Sequence, residues 1–294
     1  MTRYRDGASP DYSHRYHAGN VGDVWKHCAL VEILYRTAVA SRSIVYVESH
    51  AGEGRYALGP TGEWTEGIGR LWAAPAAATD DPVGRYVALC RRIGGGGAAR
   101  PEVYPGSPAF AREVLGPDAE LELWERDPVA RARLEAEVRG DSHARVRDGD
   151  GLAALADELR AAEKRAVGVV ALVDPSWTAK ADWNAVPEAV ISAAHASTRA
   201  CIVLWYPLKS LTRPNAMLAR FDRAGIGATA IELVTTPLGE RRSRLNGSGI
   251  LLVRPPVDVL PALAAALPLI GAQCATRESW SARIVADPDR STTR

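Results

Sequence analysis

Cysteine, long apolar runs and net charge are all scarce in this 294-residue sequence. The four cysteines are too widely spaced for a disulfide framework or a zinc site, which favours a reducing cytoplasm. No stretch approaches the roughly 18 uninterrupted apolar residues of a membrane span, and the polar N-terminus is unlike a signal peptide. We therefore expect a soluble, cytoplasmic protein. The net charge of +1 means that any nucleic-acid site must be a local patch.

The composition is that of an ordinary folded protein. Hydrophobic residues make up 47% of the chain and charged residues 24%, which argues against a disordered chain. The length suffices for one α/β domain with an insertion, or for two modest domains. No internal repeat is visible, and we predict one domain over residues 1–294.

Four apolar runs predict strands that are covered on both faces. They are SIVYVES, AELELWE, VGVVALVD and ACIVLWYP, at residues 43–49, 119–125, 167–174 and 200–207. Helical patterns lie between them, and at Ser107-Pro108 and Asp127-Pro128 a capping side chain precedes a first-turn proline. This alternation predicts an α/β fold with a doubly wound, mostly parallel sheet.

Two segments depart from the alternation. Residues 57–101 contain helical patterns at 63–72 and 82–93 and little strand character, which predicts a small helical insertion after the first strand. Near the C-terminus, GATAIELVTT and SGILLVRPP are joined by the short basic segment PLGERRSRLNG. So short a link predicts an antiparallel hairpin, which we place at one edge of the sheet.

Acidic residues and glycines follow the predicted strands, where open α/β sheets bind ligands. VESHAGEGRY places Gly52 and Gly54 after the first strand, in a loop that lacks the pattern of a phosphate loop. Glu125 could hydrogen-bond the ribose hydroxyls of an adenosine, and Asp150 could accept a hydrogen bond from the adenine amine. Each also has a purely structural interpretation: the glycines form a tight turn, Glu125 ends a strand in solvent, and Asp150 caps the helix that begins near Leu152.

The segment VVALVDPSW places Asp174, Pro175, Ser176 and Trp177 directly after the most apolar strand. It resembles the [DN]PP[YFW] motif of methyltransferases that act on amino groups. The Asp174 carboxylate and the Pro175 carbonyl could accept both hydrogens of an exocyclic adenine amine, and Asp174 could take a proton. Trp177 would stack on the extruded base. A proline-containing turn at a strand end is the structural alternative.

The N-terminal segment YSHRYHAGNVGDVWKHCAL, residues 12–30, is rich in histidine. Its histidines lack the ligand spacing of a tight metal site, so we predict no metal. The functional alternative is a segment that covers a cofactor and contacts the substrate. From Asn20 onward the pattern is helical.

In unbroken order from about Tyr12 to Pro256, these motifs resemble the RlmJ family of bacterial enzymes, which methylate an adenine N6 in 23S ribosomal RNA. The phrases that carry the resemblance are YSHRYHAGNVGDVWKH, ESHAGEGRY, YPGSP, LWERDP, DGDGL, VDPSW and LWYP. It implies a Rossmann-like class I methyltransferase fold, S-adenosyl-L-methionine as cofactor and direct methyl transfer. It also implies 23S rRNA as partner. Because a base leaves flexible RNA most easily, the chemistry favours rRNA before its full assembly into the subunit.

The resemblance assigns roles to individual residues. Asp174, with Pro175 and Trp177, falls on the catalytic motif, and Tyr12, Lys26 and Trp177 form the predicted substrate-binding set. With Gly52 of the glycine loop, the predicted cofactor-binding set is His27, His50, Gly52, Ser107, Glu125, Asp150, Gly151 and Asp174. The chain departs from the family in having DPSW where DPPY is usual and extra residues before Tyr12.

Local charge gives some support to an RNA substrate. Residues 201–254 contain eight lysines and arginines against three acids, and Arg241, Arg242 and Arg244 lie in the hairpin link, where they could contact phosphates. A solvated basic loop is the alternative. Two other functions stay open: the same fold acting on DNA adenine or on a protein glutamine, and a non-catalytic RNA-binding relic. Sites that act on glutamine more often have Asn at the position of Asp174, which argues against a glutamine substrate. Ser176 is the only feature that favours a relic.

Overall fold

The structure is a computed structural model that describes residues 14–73, 80–95, 99–240, 245–276 and 279–286. Tyr12 and the hairpin-link arginines Arg241, Arg242 and Arg244 lie outside these residues. Within the described ranges, every helix is too short or too polar to cross a membrane.

The strands of the described residues form one large sheet and one small one. They are β1 (Ile44–Glu48), β2 (Arg55–Ala57), β3 (Val103–Pro105), β4 (Glu120–Trp124), β5 (Ala144–Arg147), β6 (Gly168–Val173), β7 (Cys201–Leu208), β8 (Ala228–Val234), β9 (Gly247–Val253) and β10 (Ser281–Ala286). The large sheet has the order β10-β8-β9-β7-β6-β1-β4-β5, and β2 pairs with β3 separately. Strands β7, β6, β1, β4 and β5 run parallel, which confirms the predicted fold class.

Helices cover both faces of the large sheet. The described helices are α1 (His14–His17), α2 (Val21–Ala40), α3 (Ile68–Ala73), α4 (Pro82–Gly94), α5 (Ser107–Leu115), α6 (Pro128–Glu137), α7 (Gly151–Arg165), α8 (Asp182–Ala196), α9 (Thr212–Arg223) and α10 (Val259–Cys274), with a 3-10 turn at Glu63–Thr65. Helices α2, α4, α5 and α10 pack on one face and α7, α8 and α9 on the other. Because β1 is covered on both sides, all of its residues are buried and its sequence IVYVE shows no polar alternation.

Helix α2 is the central helix of its layer. Asn20 caps it, because the Asn20 side chain accepts a hydrogen bond from the Asp23 backbone N–H at 3.0 Å. The helix lies between the sheet and helices α4, α5 and α10, so its first three turns are almost wholly buried. Burial on all sides carries Lys26 and His27 into the interior, where polar groups need partners.

The predicted C-terminal hairpin forms, but not at the sheet edge. Strands β8 and β9 pair antiparallel, β9 also pairs with β7, and β8 also pairs with β10. The predicted edge position is therefore wrong, because the sequence pattern after residue 253 does not reveal the final strand. Strand β10 covers the hydrogen-bonding edge that β8 would otherwise expose.

The predicted insertion is helical in the structure. It contains the 3-10 turn Glu63–Thr65 with α3, and then α4, which begins at Pro82 as predicted. Asp81 caps α4 by accepting a hydrogen bond from the Gly84 backbone N–H at 2.8 Å. The antiparallel pair β2 and β3 flanks the insertion. Its status as a subdomain of a single domain stays a prediction.

Candidate active site

The order in which the chain adds strands to the sheet reverses between β1 and β6. The chain passes outward from β1 to β4 and β5, and then returns to place β6 on the other side of β1. The crevice at the carboxyl ends of strands at such a switch point is where open α/β sheets bind ligands. His50 follows β1 and Asp174 follows β6, so the structure brings both to this crevice.

The buried ammonium of Lys26 forms an ion pair with Asp174. The Lys26 Nζ lies 2.5 Å from Asp174 Oδ2 and 2.7 Å from Asp23 Oδ1. Asp23 Oδ2 in turn accepts a hydrogen bond from the Gly19 backbone N–H at 2.9 Å. Burial alone would lower the pKa of Lys26, but the two carboxylates raise it well above its ordinary value, so the ammonium keeps its charge. The pairing fixes one oxygen of Asp174 and leaves Oδ1 without a hydrogen bond from any described residue.

A second buried carboxylate, Glu48, ends β1 and is missing from the predicted site. The Tyr46 hydroxyl donates to Glu48 Oε2 at 2.9 Å, and the Ser107 hydroxyl donates to Oε1. Burial raises the pKa of Glu48 to about 8, although both hydrogen bonds act in the opposite direction. A charged residue that closes an otherwise apolar strand is the sequence signal that could have found it.

The contact with Glu48 also corrects the prediction for Ser107. Gly106 occupies the cap position of α5, and no side chain caps this helix. Ser107 is the first helical residue, and its hydroxyl is directed at Glu48 instead of the helix N–H groups. The predicted Ser107 cap is therefore wrong, whereas Asp127 caps α6 as predicted, accepting hydrogen bonds from the next backbone N–H groups.

Glu125 holds the glycine loop against the end of β4. Its Oε2 accepts a hydrogen bond from the Gly52 N–H and its Oε1 from the Asp127 N–H, both at 2.8 Å. Gly52 has φ of +65°, and a Cβ there would collide with the Tyr56 hydroxyl, so this turn requires glycine. Since each carboxylate oxygen can accept two hydrogen bonds, Glu125 retains capacity for a ligand's hydroxyl groups.

Asp150 and Gly151 begin helix α7 at the same end of the sheet. Asp150 Oδ1 accepts hydrogen bonds from the Leu152 and Ala153 N–H groups at 2.9 and 3.1 Å, which confirms the capping interpretation. A Cβ at Gly151 would lie 2.5 Å from the Ser49 carbonyl oxygen, so α7 and β1 approach as closely as their backbones allow. A cofactor contact by Asp150 stays a prediction, and its second oxygen is available for one.

The two predicted histidines occupy different environments. His50 lies in the crevice with Nδ1 2.8 Å from Ser49 Oγ, and burial lowers its pKa in spite of nearby Asp174. His27 is only 2% exposed, and its Nδ1 lies 2.7 Å from the Tyr104 hydroxyl. His50 is the less buried of the two, and a cofactor contact by either histidine stays a prediction.

Trp177 packs inward from the loop that carries Asp174. It is 8% exposed, has φ of +56°, and donates its indole N–H to the Trp205 carbonyl oxygen at 3.0 Å. Its ring centroid lies 4.5 Å from that of Trp183. Stacking of Trp177 on a base stays a prediction, and it requires this ring to separate from Trp183. Trp205, which sequence analysis did not select, has its ring centroid 5.8 Å from the Lys26 Nζ that holds Asp174.

The described residues contain no group of three or more histidine, cysteine or acidic side chains that could hold a metal ion. The four cysteines, Cys28, Cys90, Cys201 and Cys274, are buried free thiols.

Comparison with known proteins supplies the family. The model of the family described as "Ribosomal RNA large subunit methyltransferase D, RlmJ" matches residues 41–285. The chain belongs to this RlmJ family. Ribosomal RNA large subunit methyltransferase J of Escherichia coli (strain K12) is 32% identical to it over 251 residues, which are 83% of this chain and 87% of that protein. The Haemophilus influenzae protein of the same name is 30% identical over the same shares.

A solved structure has the same fold along nearly the whole chain. The crystal structure of a Legionella pneumophila protein matches with a TM-score of 0.81 and 25% identity, over 92% of this chain and 99% of that one. The predicted resemblance to the RlmJ family is thus confirmed, and the chain is a methyltransferase whose cofactor is S-adenosyl-L-methionine. The crevice fits that cofactor, because Glu125 and Asp150 offer acceptor oxygens just beyond the carboxyl ends of β4 and β5.

Proposed function

We propose that this RlmJ family member methylates the N6 amine of an adenine in 23S ribosomal RNA, with Asp174 as the acceptor. The observation that carries the proposal is the Lys26–Asp174 pair, at 2.5 Å, in the crevice beside the glycine loop. The names of the Escherichia coli and Haemophilus influenzae relatives support an RNA of the large ribosomal subunit as substrate.

The free oxygens of the Asp174 loop suit an exocyclic amine. Such an amine is a weak nucleophile because its lone pair is delocalised into the adenine ring. Asp174 Oδ1 and the Pro175 carbonyl accept no hydrogen bond from the described residues, so each can take one N–H of the amine. Two acceptors on one amine favour a pyramidal nitrogen with its lone pair directed out of the ring, ready for in-line attack.

Lys26 acts on the reaction through Asp174. By holding Oδ2, the ammonium fixes the carboxylate in one orientation before substrate binds, which removes a rotational freedom from the reacting complex. Asp174 Oδ1 can then take the proton that the amine releases when it is alkylated. Lys26 is therefore a positioning residue in this proposal, and Asp174 is the catalytic one.

S-adenosyl-L-methionine supplies the methyl group when it is bound. We assign Glu125 to the ribose hydroxyls and Asp150 Oδ2 to the adenine amine of the cofactor. Gly52 and Gly151 keep the surrounding loops in their packed positions, because a Cβ at either would collide with Tyr56 or Ser49. His50, whose pKa is lowered by burial, contributes a neutral imidazole to the same wall.

The substrate we propose is 23S rRNA before its full assembly into the subunit, methylated in the cytoplasm. The target base must leave its stack to reach Asp174, which lies at the bottom of a crevice with a side chain 15% exposed. Extruding a base costs a few kcal/mol and is easiest where the RNA is unpaired. Protein-free RNA therefore presents the adenine at the lowest cost.

The test is methyl transfer from labelled S-adenosyl-L-methionine to unmodified 23S rRNA. We expect N6-methyladenine with the wild type and with Asp222→Asn, an exposed acid on α9, and none with Asp174→Ala. Cofactor binding, measured by calorimetry, should persist in the wild type and in Asp222→Asn, and should weaken in Asp174→Ala because Asp174 also belongs to the predicted cofactor-binding set. Failure to label rRNA by a wild type that binds the cofactor would refute the rRNA substrate, and label on DNA in its place would favour the DNA alternative.

A further inference from the structure

A stack of three side chains runs outward from the loop that carries Asp174. The Trp177 ring is buried, the Trp183 ring against it is half-buried, and the Arg213 guanidinium carbon lies 5.9 Å from the Trp183 ring centroid. Trp177 is three residues from Asp174 in sequence, and Arg213 is exposed. The stack therefore connects the proposed reaction site with the protein surface.

The inner part of this stack is held firmly. Trp177 donates its indole N–H to the Trp205 carbonyl oxygen, and Trp183 lies in the first turn of α8. Arg220 of α9 donates to Asn184 Oδ1 at 2.9 Å and to Glu188 Oε1 at 2.6 Å, which ties the start of α8 to α9. The Trp183 ring thus has a fixed position relative to the Asp174 loop before any ligand binds.

Cations without acidic partners in the described residues lie close in sequence to Trp183 and Arg213. Lys180 lies in the loop before α8, Lys209 directly follows β7, and Arg213 begins α9; all three are exposed. None of them forms an ion pair within the part of the chain that the structure describes, whereas Arg220 on the same helix is paired with Glu188. Exposed cations beside a flat aromatic face are the features that bind single-stranded nucleic acid, with stacking for the bases and positive charge for the phosphates.

We propose that Trp183 and Arg213 form a stacking platform for an unpaired RNA nucleotide next to the target adenine, with Lys180 and Lys209 near its phosphates. This inference rests on the proposed function and deepens it. The platform recognises flat bases without hydrogen bonds to their edges, because indole and guanidinium planes stack on any base. It therefore selects unpaired RNA around the target adenine and does not specify a neighbouring sequence.

The geometry favours this platform over Trp177 as the aromatic surface that RNA meets. Trp177 is covered by Trp183 and has its indole N–H engaged, so its faces are not open to a base. Trp183 and the planar guanidinium outside it are the exposed continuation of the same stack. A purely structural role for Trp183, as a cover for Trp177, would leave RNA affinity unchanged once the fold is intact.

The first experiment measures the Kd of a fluorescent single-stranded RNA 12-mer by anisotropy. We expect about a tenfold weaker Kd for Arg213→Ala, since losing one base stack costs about that factor. Arg223→Ala is the matched control, because it removes the same charge from α9 about 15 Å further along the helix axis. Equal effects of the two substitutions, or no effect of either, would overturn the platform.

The Trp183 ring is tested by a pair of variants that both preserve apolar packing against Trp177. Trp183→Phe keeps a flat face and should stay within about threefold of the wild-type Kd, whereas Trp183→Leu should lose about tenfold. Thermal unfolding of both variants separates RNA binding from folding. If Leu and Phe bind RNA equally well in folded protein, Trp183 does not stack on a base.

A single abasic nucleotide locates the stacked base. In methyl transfer to short RNAs, removing the flanking base that stacks should raise the KM of wild type about tenfold and leave Arg213→Ala unaffected, because the contact is already lost. If the KM increase from the abasic nucleotide and the increase from Arg213→Ala add at every flanking position, the proposal is overturned. Failure of the proposed function would be seen separately. In that case the wild type would transfer no methyl group to rRNA, while the Kd measurements would still test the platform.

Discussion

Replacing Lys26 by methionine would leave Asp174 and Asp23 as neighbouring carboxylates with no cation between them. Methionine has nearly the length and volume of lysine, so the change removes the charge and leaves the packing. Lys26 Nζ contacts Asp174 Oδ2 at 2.5 Å and Asp23 Oδ1 at 2.7 Å, and both contacts disappear.

The size of the effect follows from burial. The side chains of Lys26, Asp23 and Asp174 are 5%, 11% and 15% exposed, so solvent screens the carboxylates poorly after the change. Removing one partner of a buried ion pair costs about 3 to 5 kcal/mol. We expect the free energy of unfolding to fall by about that amount. The rate should fall about 100-fold or more, because an error of about 1 Å in the position of Asp174 is enough for this.

The pH dependence gives a further check on Lys26. Its pKa is raised in the folded state, so its contribution to stability is fully present below its ordinary value of 10.5 and is lost only as the pH rises through the higher folded value. The stability difference between wild type and Lys26→Met should therefore contain no titration of Lys26 itself between about pH 6 and 9. Urea unfolding at several pH values measures it.

A double variant separates stability from catalysis. Adding Asp23→Asn to Lys26→Met removes one uncompensated charge, so part of the stability should return, whereas the rate should not, because Asp174 still lacks its partner. Urea unfolding and methyl transfer report the two effects. A single variant within about 1 kcal/mol of wild-type stability and about threefold of its rate would refute the role of the pair.

Two other buried features give predictions of their own. Glu48→Gln removes a group whose pKa is raised to about 8, so wild-type stability should fall relative to this variant as the pH rises from 6 to 9, by about 3 kcal/mol in urea unfolding; an unchanged difference would contradict the raised pKa. Gly151→Ala places a Cβ 2.5 Å from the Ser49 carbonyl oxygen, so calorimetry should show about tenfold weaker cofactor binding. Gly140→Ala, a loop glycine with open space but a positive φ, is its control, and equal cofactor binding by both variants would contradict the close approach.

The central strands and their order along the chain could be predicted because their sequence signal is local. Strands β1, β4 and β6 lie within the apolar runs and β7 extends one residue beyond its run, since burial on both faces demands apolar residues in sequence. The caps Asp127 and Asp150 could also be predicted from the sequence, because a cap and its helix are neighbours in the chain. Strand β10 was not, because its sequence SARIVA alternates as many exposed segments do.

The contacts that organise the site join residues far apart in sequence. Lys26 and Asp174 are 148 positions apart, and Ser107 and Glu48 are 59 apart. The motif around Asp174 was readable from sequence, but the cation that holds it was not, since nothing in the pattern of α2 shows which face meets β6. In the same way, the inward packing of Trp177 depends on Trp183 across a loop.

The sequence by itself determined the fold class, the family and the acidic residue at the end of β6, because each follows from runs of neighbouring residues. Only the tertiary structure decided which hydroxyl meets Glu48, which ammonium meets Asp174 and which tryptophan remains at the surface. Those pairings arise because burial leaves polar groups to find partners across the sheet and helices, and chain distance has no part in that choice.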